Sequence, residues 1–169
     1  MIKIQNTTID DFNFICHLFE EAILYQKNKG FSVWNGYDIA VLKADLEKKL
    51  QYKVIEGDTI LCVFSICFQD SIIWREKEKE DAIYLHRIVV NPLYRGQKQF
   101  EKILLWAKEF ANSKNLRYIR MDTWGENQSI LDYYMSYGFK FVESYTTPST
   151  LNLPIQHRNL YLALLEYSI

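Results

Sequence analysis

Tyr84-Leu85-His86-Arg87-Ile88-Val89-Val90-Asn91-Pro92-Leu93-Tyr94-Arg95-Gly96-Gln97-Lys98-Gln99-Phe100 changes character at its proline. Upstream, from Ile83 to Val90, apolar residues occupy both faces, the pattern of a strand covered on two sides in the middle of a sheet. Asn91-Pro92 stops it, because proline cannot donate to a ladder and keeps its predecessor out of the helical region. From Gln99 to Ser113 the residues Phe100, Ile103, Leu104, Ala107, Phe110 and Ala111 recur at helical spacing and predict an amphipathic helix. Leu116 to Thr123 then reads as another strand. A strand, a crossing helix and a strand in this order require a parallel pair.

The flanks extend the pattern. Ile2 to Asn6 alternates as a strand, and a helix follows from Asp10 or Asp11, with Phe14, Ile15, Leu18, Phe19, Ala22 and Ile23 on one stripe and Gly30 as its stop. An aromatic loop from Phe31 to Tyr37 leads to a second helix from about Asp38 to Leu50. Tyr52 to Glu56 and Thr59 to Gln69, joined at Gly57-Asp58, read as an antiparallel hairpin. The mixed charges of Arg75 to Asp81 read as a solvated connection. Downstream come a helix from Ser129 to Tyr137 closed by Gly138, a strand from Phe139 to Tyr145, a Pro-punctuated loop from Thr146 to His157, and a last strand from Leu160 to Tyr167. The order β-α-α-β-β-β-α-β-α-β-β makes an α/β (α+β) protein with a mixed, mostly antiparallel sheet of about seven strands and about four helices.

The chain has 169 residues, 49% apolar, enough for one well-buried core, so residues 1–169 are expected to form a single domain. Lys plus Arg number 20 against 21 Asp plus Glu, without the basic excess that phosphate backbones attract, which argues against nucleic acid as a partner. No apolar run reaches the ~20 residues that span a bilayer, and the N-terminus lacks a signal-peptide core. A soluble, cytoplasmic protein away from membranes is the expectation. Cys16, Cys62 and Cys67 form no Cys-x-x-Cys pair, so they read as packed thiols, and neither a disulfide framework nor a metal site is expected.

Two segments carry chemistry. The loop Arg95 to Phe100 opens a helix, where unpaired N–H groups, the positive end of the helix dipole and the cations Arg95 and Lys98 suit an anion, although the same residues also fit an ordinary turn. In the segment Asp122 to Phe139, Asn127 stands seven residues before Tyr134, so the two project from nearly the same helix face. Core aromatics behind a helix-capping Asn would show the same spacing. No Gly-x-Ser-x-Gly elbow, Walker loop or Cys–His pairing is visible.

Together these segments resemble the GNAT superfamily of acetyl-CoA-dependent N-acetyltransferases. Val90-Asn91-Pro92 fits the family's Val-x-Pro, Arg95 begins its Gln/Arg-x-x-Gly-x-Gly/Ala loop, and Asn127, Tyr134, Gly138 and Phe139 fall in register with its Asn-x-x-Ala-x-x-x-Tyr-x-x-x-Gly-Phe. The departures are Lys98 and Phe100 at the small-residue positions, and Ile130 for Ala. The resemblance implies a GNAT-type sheet and transfer of acetyl from acetyl-CoA to a primary amine of a small-molecule or peptide acceptor by direct attack. It assigns the pantetheine arm to the backbone of Ile88, Val89 and Val90, and the pyrophosphate to Arg95, Gly96, Gln97, Lys98, Gln99 and Phe100. Asn127 would close the site, Tyr134 would be the acid for the leaving thiolate, and His86, with an ordinary pKa near ~6.5, a candidate base. A homodimer is compatible with it. The altered loop leaves one alternative, a non-catalytic GNAT-like module that binds CoA or another anion as a sensor.

Overall fold

The computed structural model describes residues 1–153 and 155–169; Pro154, in the Pro-punctuated loop, lies outside them. In chain order the elements are β1 (Ile2–Asn6), α1 (Phe12–Asn28), α2 (Ile39–Glu47), β2 (Gln51–Glu56), β3 (Thr59–Cys67), α3 (Ser71–Trp74), β4 (Ala82–Val90), α4 (Gln99–Ser113), β5 (Tyr118–Trp124), α5 (Gln128–Ser136), β6 (Lys140–Thr146) and β7 (Tyr161–Ser168). The seven strands form one sheet in the order β1-β2-β3-β4-β5-β7-β6, which puts the doubly apolar β4 in the middle. β4 and β5 pair parallel, while β1 with β2, β2 with β3, β5 with β7 and β6 with β7 pair antiparallel. The fold is the mixed sheet expected, with five helices rather than about four.

The chain divides into two compact units, residues 1–66 with 87–106 and residues 67–86 with 107–169. In the first, Ile15, Leu18 and Phe19 of α1, Leu42 of α2, Val63 of β3 and Val89 of β4 are buried together. Trp34 and Tyr37 stand edge-on against Phe19 at 5.8 and 5.3 Å, so the aromatic loop covers this core, whereas Phe31 is exposed. α2 starts where Asp38 accepts from the Ala40 and Val41 amides, satisfying two donors that a helix start leaves open.

In the second unit Trp74, Tyr84, Leu162 and Leu164 are buried with Ile73 and Ala82. The fifth helix is the short α3, which the sequence pattern does not show because four residues are too few for a helical period. It seats Ile73 and Trp74 in this core, with relative exposures of 2% and 0%. The charged run after it has no buried residue, as a solvated connection requires, and is also ion-paired. Arg75 and Lys77 both pair with Glu143, and the Arg75 guanidinium lies 3.8 Å from the Tyr145 ring centroid. Arg120 is buried beside them, bonded to Glu166 at 2.8 Å and to the Tyr84 hydroxyl at 3.0 Å.

Candidate functional site

The second half of β4 and the loop after it belong to the first unit. Within β4, Arg87 takes a φ of +48°, a region that costs energy for any residue with a side chain and persists only when its surroundings fix it. Here Asp45 pairs with the guanidinium and the Ser65 hydroxyl accepts from Nε at 3.2 Å. Arg87 thus meets a neighbouring acid. Beyond it, Val89 is buried while Ile88 and Val90 are half-buried.

Asn91 then caps a short turn by accepting from the Leu93 amide, and its own amide donates to the Ile60 carbonyl at 2.8 Å. Within the loop, Gly96 and Lys98 both take positive φ, +74° and +53°. Alternating left-handed residues just ahead of a helix start are a backbone form that gathers N–H groups around an anion. Lys98 therefore keeps the conformation natural to the glycine it replaces, with its side chain exposed. Phe100 is buried, 4% exposed, and goes to the core side of α4 rather than into the loop. Gln99 is buried too, donating to the Tyr94 carbonyl and accepting from Lys102. Arg95 lies flat on Tyr25, 3.7 Å from its ring centroid. Two positive-φ residues ahead of α4 and the exposed Lys98 side chain are compatible with an anionic group at this loop.

The second unit holds the ionisable cluster. The parallel register of β4 with β5 ends at Leu85 opposite Met121. The next residue of each strand, His86 and Asp122, meet through side chains, Nδ1 standing 3.5 Å from Oδ1. On the other edge of the ring Nε2 lies 3.2 Å from Oδ2 of Asp70. That contact is an ion pair, and Oδ2 is buried. The Cys67 thiol bonds the same ring, and the buried His157 ring stands edge-on to it at 5.7 Å. Burial is the strongest influence on His86 and opposes its charge, but Cys67, Asp70 and Asp122 together outweigh it, raising the pKa well above 6.5.

These neighbours favour the protonated ring, the form without the lone pair that a base needs. Cys67 and His86, 19 positions apart in sequence, do form a Cys–His contact that no spacing pattern announces.

α5 belongs to the same unit. Asn127 is its cap, accepting from the Ile130 amide at 3.1 Å, so the capping function expected of an Asn there is real. Two turns on, Tyr134 is buried, its ring edge-on to Tyr133 at 5.3 Å. Asp70 and Asp122 were not among the expected site residues; two isolated aspartates carry no motif, and only the register of β4 with β5 and the capping role of Asp70 in α3 bring them to His86.

The loop with positive φ at Gly96 and Lys98, and separately the Asn127-capped α5 that carries Tyr134, are the features on which the GNAT resemblance rests. The sequence matches the model of the Acetyltransferase (GNAT) family over residues 33–139, and the chain belongs to that family. The uncharacterized N-acetyltransferase YesJ of Bacillus subtilis (strain 168) is 23% identical over 159 residues, covering 83% of this chain and 88% of that protein. A GNAT-family acetyltransferase from Listeria monocytogenes 4b F2365 superposes with a TM-score of 0.79 at 18% identity, over 99% of this chain and 95% of its own. The Salmonella typhimurium protein yncA, whose structure holds its cofactor acetyl-CoA, gives 0.69 at 15% identity, over 99% and 93%. No helix among the described residues is long and apolar enough to cross a membrane.

Proposed function

We propose that this protein transfers the acetyl group of acetyl-CoA to a primary amine of a small-molecule or peptide acceptor by direct attack on the thioester. The observation that carries the reading is α5, where Asn127 caps the helix and Tyr134 is held buried two turns later, the arrangement the family motif implies. The backbone of Ile88, Val89 and Val90 binds the pantetheine arm as an added strand. A main-chain N–H near Ile88 or Val89 steadies the developing oxyanion. The loop from Arg95 to Phe100 takes the pyrophosphate on its backbone and on Lys98.

Tyr134 donates its phenolic proton to the departing thiolate. A phenol near pKa ~10 reprotonates readily from water, so it can serve repeatedly. The amine releases its proton to water, since Cys67, Asp70 and Asp122 raise the pKa of His86 and favour the protonated ring over the form that accepts a proton.

The test is a screen of primary amines with acetyl-CoA, read as free thiol released. Tyr134→Phe should lower kcat by about 10²-fold while leaving acetyl-CoA affinity nearly intact. An unimpaired rate removes Tyr134 as the acid. Thermal stabilisation by acetyl-CoA without turnover on any amine identifies the non-catalytic CoA-binding module instead.

A further inference from the structure

We infer that Asp45 is a positioning residue for the acetyl transfer: through Arg87 it holds the left-handed backbone of β4 that aims the Ile88 N–H at the thioester oxygen. The inference rests on the direct attack proposed above and names what fixes its oxyanion donor. Arg87 is, among the described residues, the one non-glycine residue with left-handed φ that stands inside a strand. Lys49, Arg75, Glu80, Lys98, Asn115 and Asn159 share that φ, but each lies outside the strands. A ladder needs extended backbone and gains nothing from such a residue, so something beyond the ladder has to hold it there.

The side chain supplies the hold. Arg87 is 9% exposed, its guanidinium paired with Asp45 of α2, and its Nε donates to the Ser65 hydroxyl of β3 at 3.2 Å. Ser65 in turn donates to Oε1 of Gln51, the residue opposite it in the β2–β3 ladder, and both are fully buried. Asp45 is itself anchored through its backbone: its carbonyl accepts from the Leu50 amide at 2.8 Å, and the Leu50 carbonyl accepts from Ile66 of β3 at 2.9 Å. A planar fork with a carboxylate on one edge and a hydroxyl at Nε has little freedom to turn.

Backbone direction shows what the grip controls. The Asn91 amide donates to the Leu61 carbonyl of β3 at 2.9 Å, so by the alternation of an extended strand Val89 turns its N–H toward β3, and Ile88 and Val90 turn theirs away. The register of β4 with β5 ends at Leu85, so that ladder does not take up the Ile88 N–H. This N–H belongs to the peptide plane that starts at the Arg87 carbonyl, and the torsions at Arg87 therefore decide where it points. An oxyanion is steadied only by donors aimed at it from hydrogen-bond distance. Loosening Arg87 misaims the donor without removing it.

The experiment compares wild type, Asp45→Asn and Arg87→Gly by the amide spectrum of the isotope-labelled full chain, titrated with CoA and with acetyl-CoA, and by kcat on the amine that the screen above returns. The amide measurement needs no acceptor. In the wild type the Ile88 amide proton should move downfield with acetyl-CoA relative to CoA, because only acetyl-CoA carries the carbonyl. Asp45→Asn should bind both ligands within about 3-fold of wild type, lose that difference, and lower kcat by roughly 10- to 10²-fold. Arg87→Gly keeps the left-handed torsion without strain but removes the anchor, so it should fold, as circular dichroism reports, and show the same loss. Asp45→Glu, which restores the carboxylate, should recover part of the rate. Glu47→Gln, which removes an exposed carboxylate from the same helix, should match wild type. A pair that serves stability alone would lower Tm on substitution and leave kcat and the Ile88 difference intact, and that result overturns the inference. An Ile88 amide that responds alike to both ligands in the wild type, or an equal loss in Glu47→Gln, overturns it too. Failure of the wild type to bind either ligand overturns the acetyl-transfer reading itself, so the two failures are told apart.

Discussion

Lys98→Gly tests whether the loop from Arg95 to Phe100 is a strained copy of the family's glycine loop. Lys98 sits at φ +53°, where a side chain costs roughly 1–2 kcal/mol and glycine costs almost nothing. Glycine also gives the unfolded chain more freedom, worth about 0.4–1 kcal/mol in the opposite sense. The net expectation is a gain of about 0.5–1 kcal/mol, or roughly 2 °C in Tm for a chain of this length. Lys98→Ala is the control, since alanine keeps the left-handed penalty and removes the ammonium. Urea melts of the two variants side by side isolate the backbone term, and acetyl-CoA affinity is measured on both. Glycine should be the more stable of the two and bind acetyl-CoA no more weakly than alanine. If glycine is no more stable than alanine, the strain assigned to this position is absent and the reasoning fails. If both variants lose affinity alike and the loss shrinks as salt rises, the ammonium and not the backbone holds the phosphate.

Three further outcomes follow from packing and charge. A methyl group on Gly125 would stand 2.7 Å from two Tyr161 ring carbons, so Gly125→Ala should cost about 1–3 kcal/mol in denaturant melts, and an unchanged midpoint would contradict that contact. Asp11, bound to Lys53 at 2.7 Å, is pushed up by burial, but Lys53 and the Thr8 amide outweigh this and lower its folded pKa. The unfolded carboxyl then binds the proton more readily, so its contribution is present above the ordinary carboxylate range and is lost as pH falls through the folded value. Asp11→Asn should lower stability at neutral pH and flatten that acid limb. Cys62, fully buried, has its thiol pushed up to about 12 and should resist a thiol reagent until the chain unfolds, whereas Cys16 and Cys67, partly exposed, should react in the native protein.

Much of this was readable in the chain itself. α4 was expected from Gln99 to Ser113 and has those bounds, because its apolar residues keep one stripe for four turns and a proline fixes its approach. β4 was placed at the sheet centre from its two apolar faces. The short α3 was not readable, since what makes it helical is the Asp70 cap and the burial of Ile73 and Trp74. Lys98 and Phe100 read as damage to a phosphate loop. The fold shows one keeping a glycine-like φ and the other turned into the core.

Sequence alone determined the periodicities, the stops and the register of Asn127 with Tyr134, since each depends on residues a few positions apart. Tertiary structure decided the state of His86. Its ordinary pKa suits a base, but a proton affinity depends on which charges stand within a few ångströms, and Cys67, Asp70 and Asp122 come from 19, 16 and 36 positions away. No local pattern encodes that meeting. It follows from β4 and β5 pairing as far as Leu85 and Met121 and from the next residue of each turning its side chain toward the other.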